Sequence, residues 1–241
     1  MSPRRPTILA YHAIAHLSND PNGTATSPER FESHMLYLKQ HNLRGVSIRE
    51  LRRAISTGNG QKLVGLTFDD GYEDFLHTAL PVLERLGFSA TVFVVAGMLG
   101  GENNWEHVYE PRPRMRILRA EGLREVSKRG IEVGSHSMTH RKLPSLDPVA
   151  LDQEVNDSRR ILSEILDESV EGFCYPYGSS TDATAEVVRR AGYAYACAWN
   201  ALGEWGDYTL PRIPVSERDG PLRFAAKAKA YWQYSRIARS R

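Results

Sequence analysis

The sequence predicts an α/β fold whose mainly parallel sheet closes into a barrel. Three observations carry that prediction. Short apolar runs alternate with amphipathic stretches some seven times along the chain. The run Ala90–Val95 is apolar and β-branched without alternation, as a strand buried on both faces is. No repeat and no linker divides the chain, so residues 1–241 read as a single domain.

The elements follow in order. Thr7–Ala10 reads as the first strand. Pro28–Gln40 sets Phe31, Met35 and Leu38 at helical spacing. Val46–Ile48 is a brief strand, and Ser47 can cap a helix that runs through Ala54. Leu63–Phe68 is a strand. Asp74–Leu86 is a helix that Gly87 ends, because glycine tolerates the left-handed conformation of a helix terminus. Ala90–Val95 is a strand, and Gly97–Pro113, rich in Gly, Asn and Pro, is a loop. Arg114–Arg129 reads as a helix closed by Gly130, and Ile131–Val133 as a strand. Asp147, with Pro148 at the first helical position, starts a long helix to Leu166. Phe173–Tyr175 is a strand, Asp182–Ala191 a helix and Tyr193–Trp199 a strand. A last helix spans about Pro221–Arg236.

Composition narrows the function classes. At 241 residues and 41% hydrophobic content the chain buries a core without disulfide or metal staples. Its 31 basic and 29 acidic side chains leave a net charge of +2, which gives no global case for nucleic-acid binding. Cys174 and Cys197 sit in apolar stretches and read as buried free thiols. The apolar run Ile8–Ala10 is too short for a signal sequence, and no segment nears the ~18 apolar residues of a membrane span. A cytoplasmic location is the expectation.

In parallel barrels, chemistry sits where strands end and loops begin. The strand Leu63–Phe68 runs directly into Asp69-Asp70-Gly71. This pair reads two ways. One acid can bind a metal while the other stays free as a base; or both join Glu73 and Asp74 in an acidic helix N-terminus. The strand Ile131–Val133 runs into Gly134-Ser135-His136-Ser137-Met138-Thr139-His140. Two histidines four apart share one face of a helical turn, as metal ligands do. Two His and one Asp leave coordination positions open, as a catalytic ion requires. The set suits Zn²⁺, with Co²⁺, Ni²⁺ or Fe²⁺ possible by geometry.

Thr67-Phe68-Asp69-Asp70-Gly71 and His136-Ser137-Met138-Thr139-His140 resemble the first two motifs of the NodB-homology polysaccharide deacetylases, carbohydrate esterase family 4. The resemblance covers roughly residues 7–215. It implies a distorted (β/α)7 barrel, with Asp70, His136 and His140 on the metal and Asp69 as general base. The third motif is met in Pro176-Tyr177, where the Tyr177 backbone N–H would face the oxyanion, but Cys174 stands where the family has arginine. Arg212, in Leu210-Pro211-Arg212-Ile213-Pro214, is the candidate to replace that arginine, or is a surface residue of a Pro-rich turn. The late Leu-His motif is absent, since no histidine follows His140. Tyr11-His12 instead resembles the start of the circularly permuted poly-N-acetylglucosamine deacetylase branch. His12 is then the expected general acid.

Further candidates lie in loops. Trp105 could stack on a pyranose with Asn104 near its polar substituents, or could anchor its loop. Trp199 lines an acetyl pocket or packs. The C-terminal stretch combines Arg223, Lys227, Lys229 and Arg236 with Phe224, Tyr231, Trp232 and Tyr234. Such a helix packs its aromatics on the barrel, with weak membrane-surface contact as the second reading.

The resemblance implies a metal-dependent hydrolase that removes the N-acetyl group from an amino sugar and releases acetate. A cytoplasmic location would favour a lipid- or nucleotide-linked glycan intermediate as substrate. Two other classes stay open: a carbohydrate-binding pseudoenzyme, suggested by the absent arginine and late histidine, and a hydrolase of a non-sugar, cyclic amide C–N bond. The sequence does not set the oligomeric state.

Overall fold

The computed structural model describes residues 6–105, 113–199 and 205–237, the last eight as backbone only. In chain order, β1 (Ile8–Tyr11) leads through a short parallel pair, β2 (Ala13–Ile14) and β3 (Ala25–Thr26), into α1 (Pro28–Gln40). Then come β4 (Arg44–Val46), α2 (Ile48–Ser56), β5 (Leu63–Phe68), α3 (Leu80–Leu86) and β6 (Thr91–Val94). After α4 (Ala120–Lys128) and β7 (Glu132–Ser135) follow α5 (Pro148–Leu166), β8 (Gly172–Cys174), α6 (Asp182–Arg190) and β9 (Tyr195–Ala198). The chain ends through β10 (Leu210–Pro211), β11 (Ile213–Pro214) and α7 (Pro221–Ile237).

The main sheet runs β10-β9-β8-β7-β6-β5-β1-β11, and every pairing along it is parallel. Its two end strands flank a single residue, Arg212. Leu210 and Pro211 pair with β9, and Ile213 and Pro214 pair with Leu9 and Ala10 of β1. One extended segment therefore joins both edges and nearly closes the ring. With that segment taken as one stave, the barrel has the (β/α)7 order. β4 lies outside the path, along the first half of β5.

Local sequence explains the elements. β1 (ILAY) and β6 (TVFV) are buried at every position, because the barrel interior covers one face and helices the other. α1 starts at Ser27, whose side chain caps the Arg30 amide, and buries Phe31, Met35 and Leu38. Each of those side chains contributes about 1.5–3 kcal/mol on leaving water. Asp147 caps α5 through the amides of Val149 and Ala150. Gly87 ends α3 at φ 69°.

Two helices differ from expectation. Residues 74–86 form a wide π-turn over Phe75–Ala79 before α3, with the Leu80 amide bonded to Phe75 O. Pro81 has no N–H to continue the α-helical ladder upstream, so the wider turn takes its place. The helix expected from Arg114 begins at Ala120. The preceding residues are held instead as bridges, Arg116 to Glu102 and Ile117 to Tyr72, and the Asn103 side chain accepts from the Met115 amide at 2.7 Å.

α7 packs on α1 through Phe224, which stacks on His34 at 3.9 Å with 4° between the rings. His34 Nε2 donates to the Asp219 carbonyl at 2.7 Å, and its Nδ1 lies 3.2 Å from the Tyr11 hydroxyl. Lys227 closes the joint on the buried Asp219 carboxylate at 2.7 Å. The first turns of α7 thus pack as expected; the side chains of Tyr231, Trp232, Tyr234 and Arg236 lie outside the described residues. No helix among the described residues is long and apolar enough to cross a membrane.

Candidate active site

The site forms where β1, β5, β7 and β8 end. Side chains of adjacent strand residues diverge. Just past β5 the chain avoids this by turning at Asp70 (φ 70°) and Gly71 (φ 76°), so that both carboxylates serve one cluster. A Cβ at Gly71 would lie 2.9 Å from a methyl of Val94, so glycine is required there for space as well as conformation. Asp69 and Asp70 are each only 2% exposed. Both acids belong to this strand-end cluster and not to a helix N-terminus with Glu73 and Asp74.

Arg212 reaches Asp69 from the segment that closes the barrel. Its Nη1 donates to Asp69 Oδ1 at 2.6 Å and to Thr67 Oγ1 at 3.2 Å, and its Nη2 donates to Asp69 Oδ2 at 2.8 Å. The two-pronged geometry is the strong form of the guanidinium–carboxylate pair. The guanidinium also lies 4.7 Å from the Trp199 ring and 5.9 Å from Phe93. Arg212 is 1% exposed, which removes the surface-turn reading. Burial by itself would push the Asp69 carboxyl up. The Arg212 charge, His136 and the Arg212 hydrogen bonds outweigh it and hold the group well below the usual carboxylate range. Cys174, at the position of the family arginine, places its sulfur 3.8 and 3.9 Å from the two Asp69 oxygens. Burial raises its thiol pKa, so it stays a neutral S–H that donates weakly. Cys174 and Cys197 are both free and buried.

Asp70, His136 and His140 converge beside this pair. Asp70 Oδ1 lies 3.6 Å from His136 Nε2 and 3.4 Å from His140 Nε2. His136 Nδ1 is 2.8 Å from the Cys174 carbonyl, which can only accept, so Nδ1 carries the proton and Nε2 presents a lone pair. Burial lowers the pKa of both rings, that of His140 to about 3, so both are neutral at pH 7. A neutral acceptor nitrogen therefore faces a carboxylate oxygen, and Asp70 Oδ1 is buried with no hydrogen-bond partner. A divalent cation between them would satisfy both. The donor set, its burial and this orphaned oxygen fit a divalent metal.

The two histidines do not share a helical turn. Residues 136–140 form a loop in which Ser137 (φ 66°) and His140 (φ 61°) are left-handed. The loop, not helical periodicity, sets the rings 4.9 Å apart.

His12 stands at the end of β1, with Nε2 3.8 Å from Asp69 Oδ2 and its side chain 17% exposed, at the mouth of the cluster. Tyr177 takes φ 57° in the turn after β8 and sets its ring edge-on to His140 at 4.7 Å. Trp105 is 5% exposed; its ring packs at 4.6 Å on His140 and against an apolar cluster that includes Ala13, Tyr72 and Ile117. That burial leaves little indole open for a sugar face. Trp199 covers Gly178, where a Cβ would collide with it at 1.5 Å, and packs on Arg212. Asn104 is exposed, and it is the neighbouring Asn103 that ties the loop to Tyr72 and Met115.

Sequence reasoning missed Glu154, whose carboxylate binds the histidine loop from α5. A signal exists. Leu151, Glu154, Val155, Ser158 and Leu162 mark the buried face of α5, and an acid on an apolar stripe demands a partner.

A family model described as polysaccharide deacetylase matches residues 56–196. The poly-beta-1,6-N-acetyl-D-glucosamine N-deacetylase of Staphylococcus aureus is 25% identical over 205 residues, covering 83% of this chain and 71% of its own. Among solved structures, the Streptococcus pyogenes deacetylase PplD in complex with acetate superposes with a TM-score of 0.79 at 25% identity, over 94% of this chain and 99% of its own. IcaB from Ammonifex degensii gives 0.75 at 26% identity, over 94% and 97%. The matched span holds Asp69, Asp70, His136, His140 and Tyr177 and more than half of the sequence, and on that ground the chain belongs to the polysaccharide deacetylase family.

Proposed function

We propose that this chain hydrolyses the N-acetyl groups of a polymer of N-acetylhexosamine, with β-1,6-linked N-acetylglucosamine the first substrate to test. The observation that carries the reading is the juxtaposition of two carboxylates with separate tasks. Asp70 joins two neutral histidines in a three-ligand cluster, and Asp69, one residue earlier, is kept ionised by Arg212. The named activity of the S. aureus relative supports the polymer over a lipid- or nucleotide-linked intermediate.

Asp70, His136 and His140 would hold a divalent ion, Zn²⁺ by ligand chemistry, which when bound would supply Lewis acidity to water and to the acetamide carbonyl. Asp69 is the base that accepts the water proton, and Arg212 orients it and keeps it charged beforehand. His12, across the cluster mouth from Asp69, gives a proton to the departing amine. The Tyr177 amide, in the turn beside His140, is the donor for the developing oxyanion. Water adds to the carbonyl carbon, the C–N bond breaks, and acetate and a free amine leave.

The test is acetate release from β-1,6-linked and β-1,4-linked N-acetylglucosamine oligomers, nucleotide-linked sugars and lipid-linked sugars. Each is assayed as purified, after chelation and after addition of Zn²⁺ or Co²⁺. Release from the oligomers that dies with chelator and returns with metal supports the reading. Release from the nucleotide- or lipid-linked sugars alone moves the substrate to an intermediate. Sugar binding without release, at full metal occupancy, refutes the enzyme.

A further inference from the structure

The loop His136–His140 carries two metal-ligand candidates in a conformation that its own residues do not favour. Ser137 and His140 both sit in the left-handed region, where a non-glycine residue costs roughly 1 kcal/mol or more. Something outside the loop must hold it. Every amide of the loop has a partner. His136 N–H donates to Val94 O at 2.8 Å and continues the sheet. Ser137 N–H donates to Ser135 Oγ at 3.2 Å, and His140 N–H to Ser137 Oγ at 3.1 Å. The two central amides, Met138 and Thr139, both donate to one atom, Glu154 Oε2, at 3.0 and 2.9 Å. The Thr139 hydroxyl bonds the other oxygen, Glu154 Oε1. Across the loop, the carbonyls of Ser137 and Met138 accept from the amides of Ala96 and Gly97 at 3.1 and 2.8 Å. A Cβ at Gly97 would lie 2.6 Å from Met138 O, so the loop is pressed against that backbone. One turn further along α5, Ser158 receives the Ser135 hydroxyl at 2.8 Å.

We infer that Glu154 is a positioning residue for the metal centre: its carboxylate braces the Met138–Thr139 peptide from α5 and thereby sets where His140 stands against Asp70 and His136. It touches neither the ion nor the substrate. It is 5% exposed, and the described structure gives its carboxylate no partner outside this loop. The three hydrogen bonds described for that carboxylate all go to Met138 and Thr139, the residues between the two histidines. A carboxylate that served only helix stability would face the helix terminus or solvent; this one is committed to the loop.

The inference rests on the metal reading given above, and the experiment separates the two. Co²⁺ is titrated into metal-free wild-type chain and into Glu154→Ala, Glu154→Asp and Glu154→Gln, with the affinity and the visible spectrum of the bound ion as readouts. Glu154→Asp keeps the charge but shortens the reach by one methylene. It serves as the second test should Glu154→Ala fail to fold. Both are expected to bind Co²⁺ at least about tenfold more weakly, with an altered spectrum, as loss of an outer support does. Glu154→Gln keeps an acceptor for both amides and can donate to the Thr139 hydroxyl, so it is expected to restore wild-type affinity and spectrum. A structural role confined to the helix would lower the melting temperature and leave both readouts unmoved. Wild-type affinity and spectrum in Glu154→Asp overturn the inference alone. A wild-type chain that takes up no Co²⁺ overturns the metal reading and the inference with it.

Discussion

Replacing Arg212 by methionine tests the central electrostatic argument. The guanidinium is buried and bidentate on Asp69, and methionine keeps a long unbranched stem without the charge. Removing it leaves a carboxylate that is 2% exposed with no full counter-charge. Breaking a buried pair in this way costs about 3–5 kcal/mol if the remaining charge stays ionised. For a chain of this length, unfolding entropy near 0.5 kcal/mol/K converts that to a melting temperature lower by roughly 6–10 °C. The loss must depend on pH. In the wild type the Asp69 pKa is depressed, so its contribution is present above the unfolded carboxylate value and is lost as pH falls through the folded one. In Arg212→Met burial dominates and the folded pKa rises above the unfolded value. That carboxyl is then tolerated when protonated at low pH and costs stability as pH rises. The gap in melting temperature between the two proteins, measured without metal, should therefore widen from about pH 4 to pH 8. The acid limb of kcat/KM, measured with metal, should move to higher pH, since a protonated Asp69 cannot take a proton. A gap that is constant with pH, together with an unmoved acid limb, would refute the assignment of Arg212 as the group that keeps Asp69 charged.

Asp69→Asn should abolish turnover while the chain still binds one divalent ion, read by calorimetry, because Asp69 stands outside the three-ligand set. Lost metal binding would place Asp69 in the ligand shell instead. His12→Gln should lower kcat by about 10²–10⁴ with metal affinity unchanged, as loss of an acid–base group does; a change below threefold sinks the proton-donor role. His140 is buried neutral with its pKa near 3, so metal-free protein should lose stability as pH falls below about 6.5, where the unfolded histidine takes up a proton and the folded one does not. The slope attributable to this residue is about 1.4 kcal/mol per pH unit between those limits, and His140→Gln should flatten it in pH-dependent melts.

Much of the fold was legible because local and tertiary preferences agree. Leu63–Phe68 is apolar, branched and followed by a turn, and it forms β5 over those same residues. Asp147-Pro148 caps α5 as its side-chain chemistry requires. Expectation failed where a tertiary contact outweighed local pattern. Met115–Leu118 has helical composition, yet the Asn103 side chain and two bridges to Glu102 and Tyr72 draw it into extended pairing. The site divides in the same way. Asp69 and Asp70 announce themselves by sitting at a strand end, and so do the two histidines. The conformation that brings the histidines together depends on Glu154, and nothing between residues 136 and 140 reveals it. Trp105 shows the converse limit: an aromatic residue in a polar loop suggests a sugar platform, and only packing shows that its face is spent on His140.

The two residues that depart from the family's motif order lie outside the span that the family model matches. His12 precedes residue 56 and Arg212 follows residue 196. In space both reach Asp69, because β1 pairs with β11 through Leu9–Ile213 and Ala10–Pro214. A nearly closed ring explains how residues so far apart in the chain can reach one site. Asp69 needs a guanidinium and a facing imidazole within a few ångströms, and any stave that ends at the same rim can present them. Linear order matters only to the loops that join staves. Arg212 projects from the segment that bonds to both β9 and β1, so the residue paired with Asp69, the proposed base, also sits at the closure of the barrel. Substitutions at Pro211 or Ile213 that loosen closure should therefore lower kcat through Asp69 before they melt the fold. Their acid limb should then shift in the same direction as that of Arg212→Met. A loss of kcat with no such shift would mean that closure and base positioning are independent.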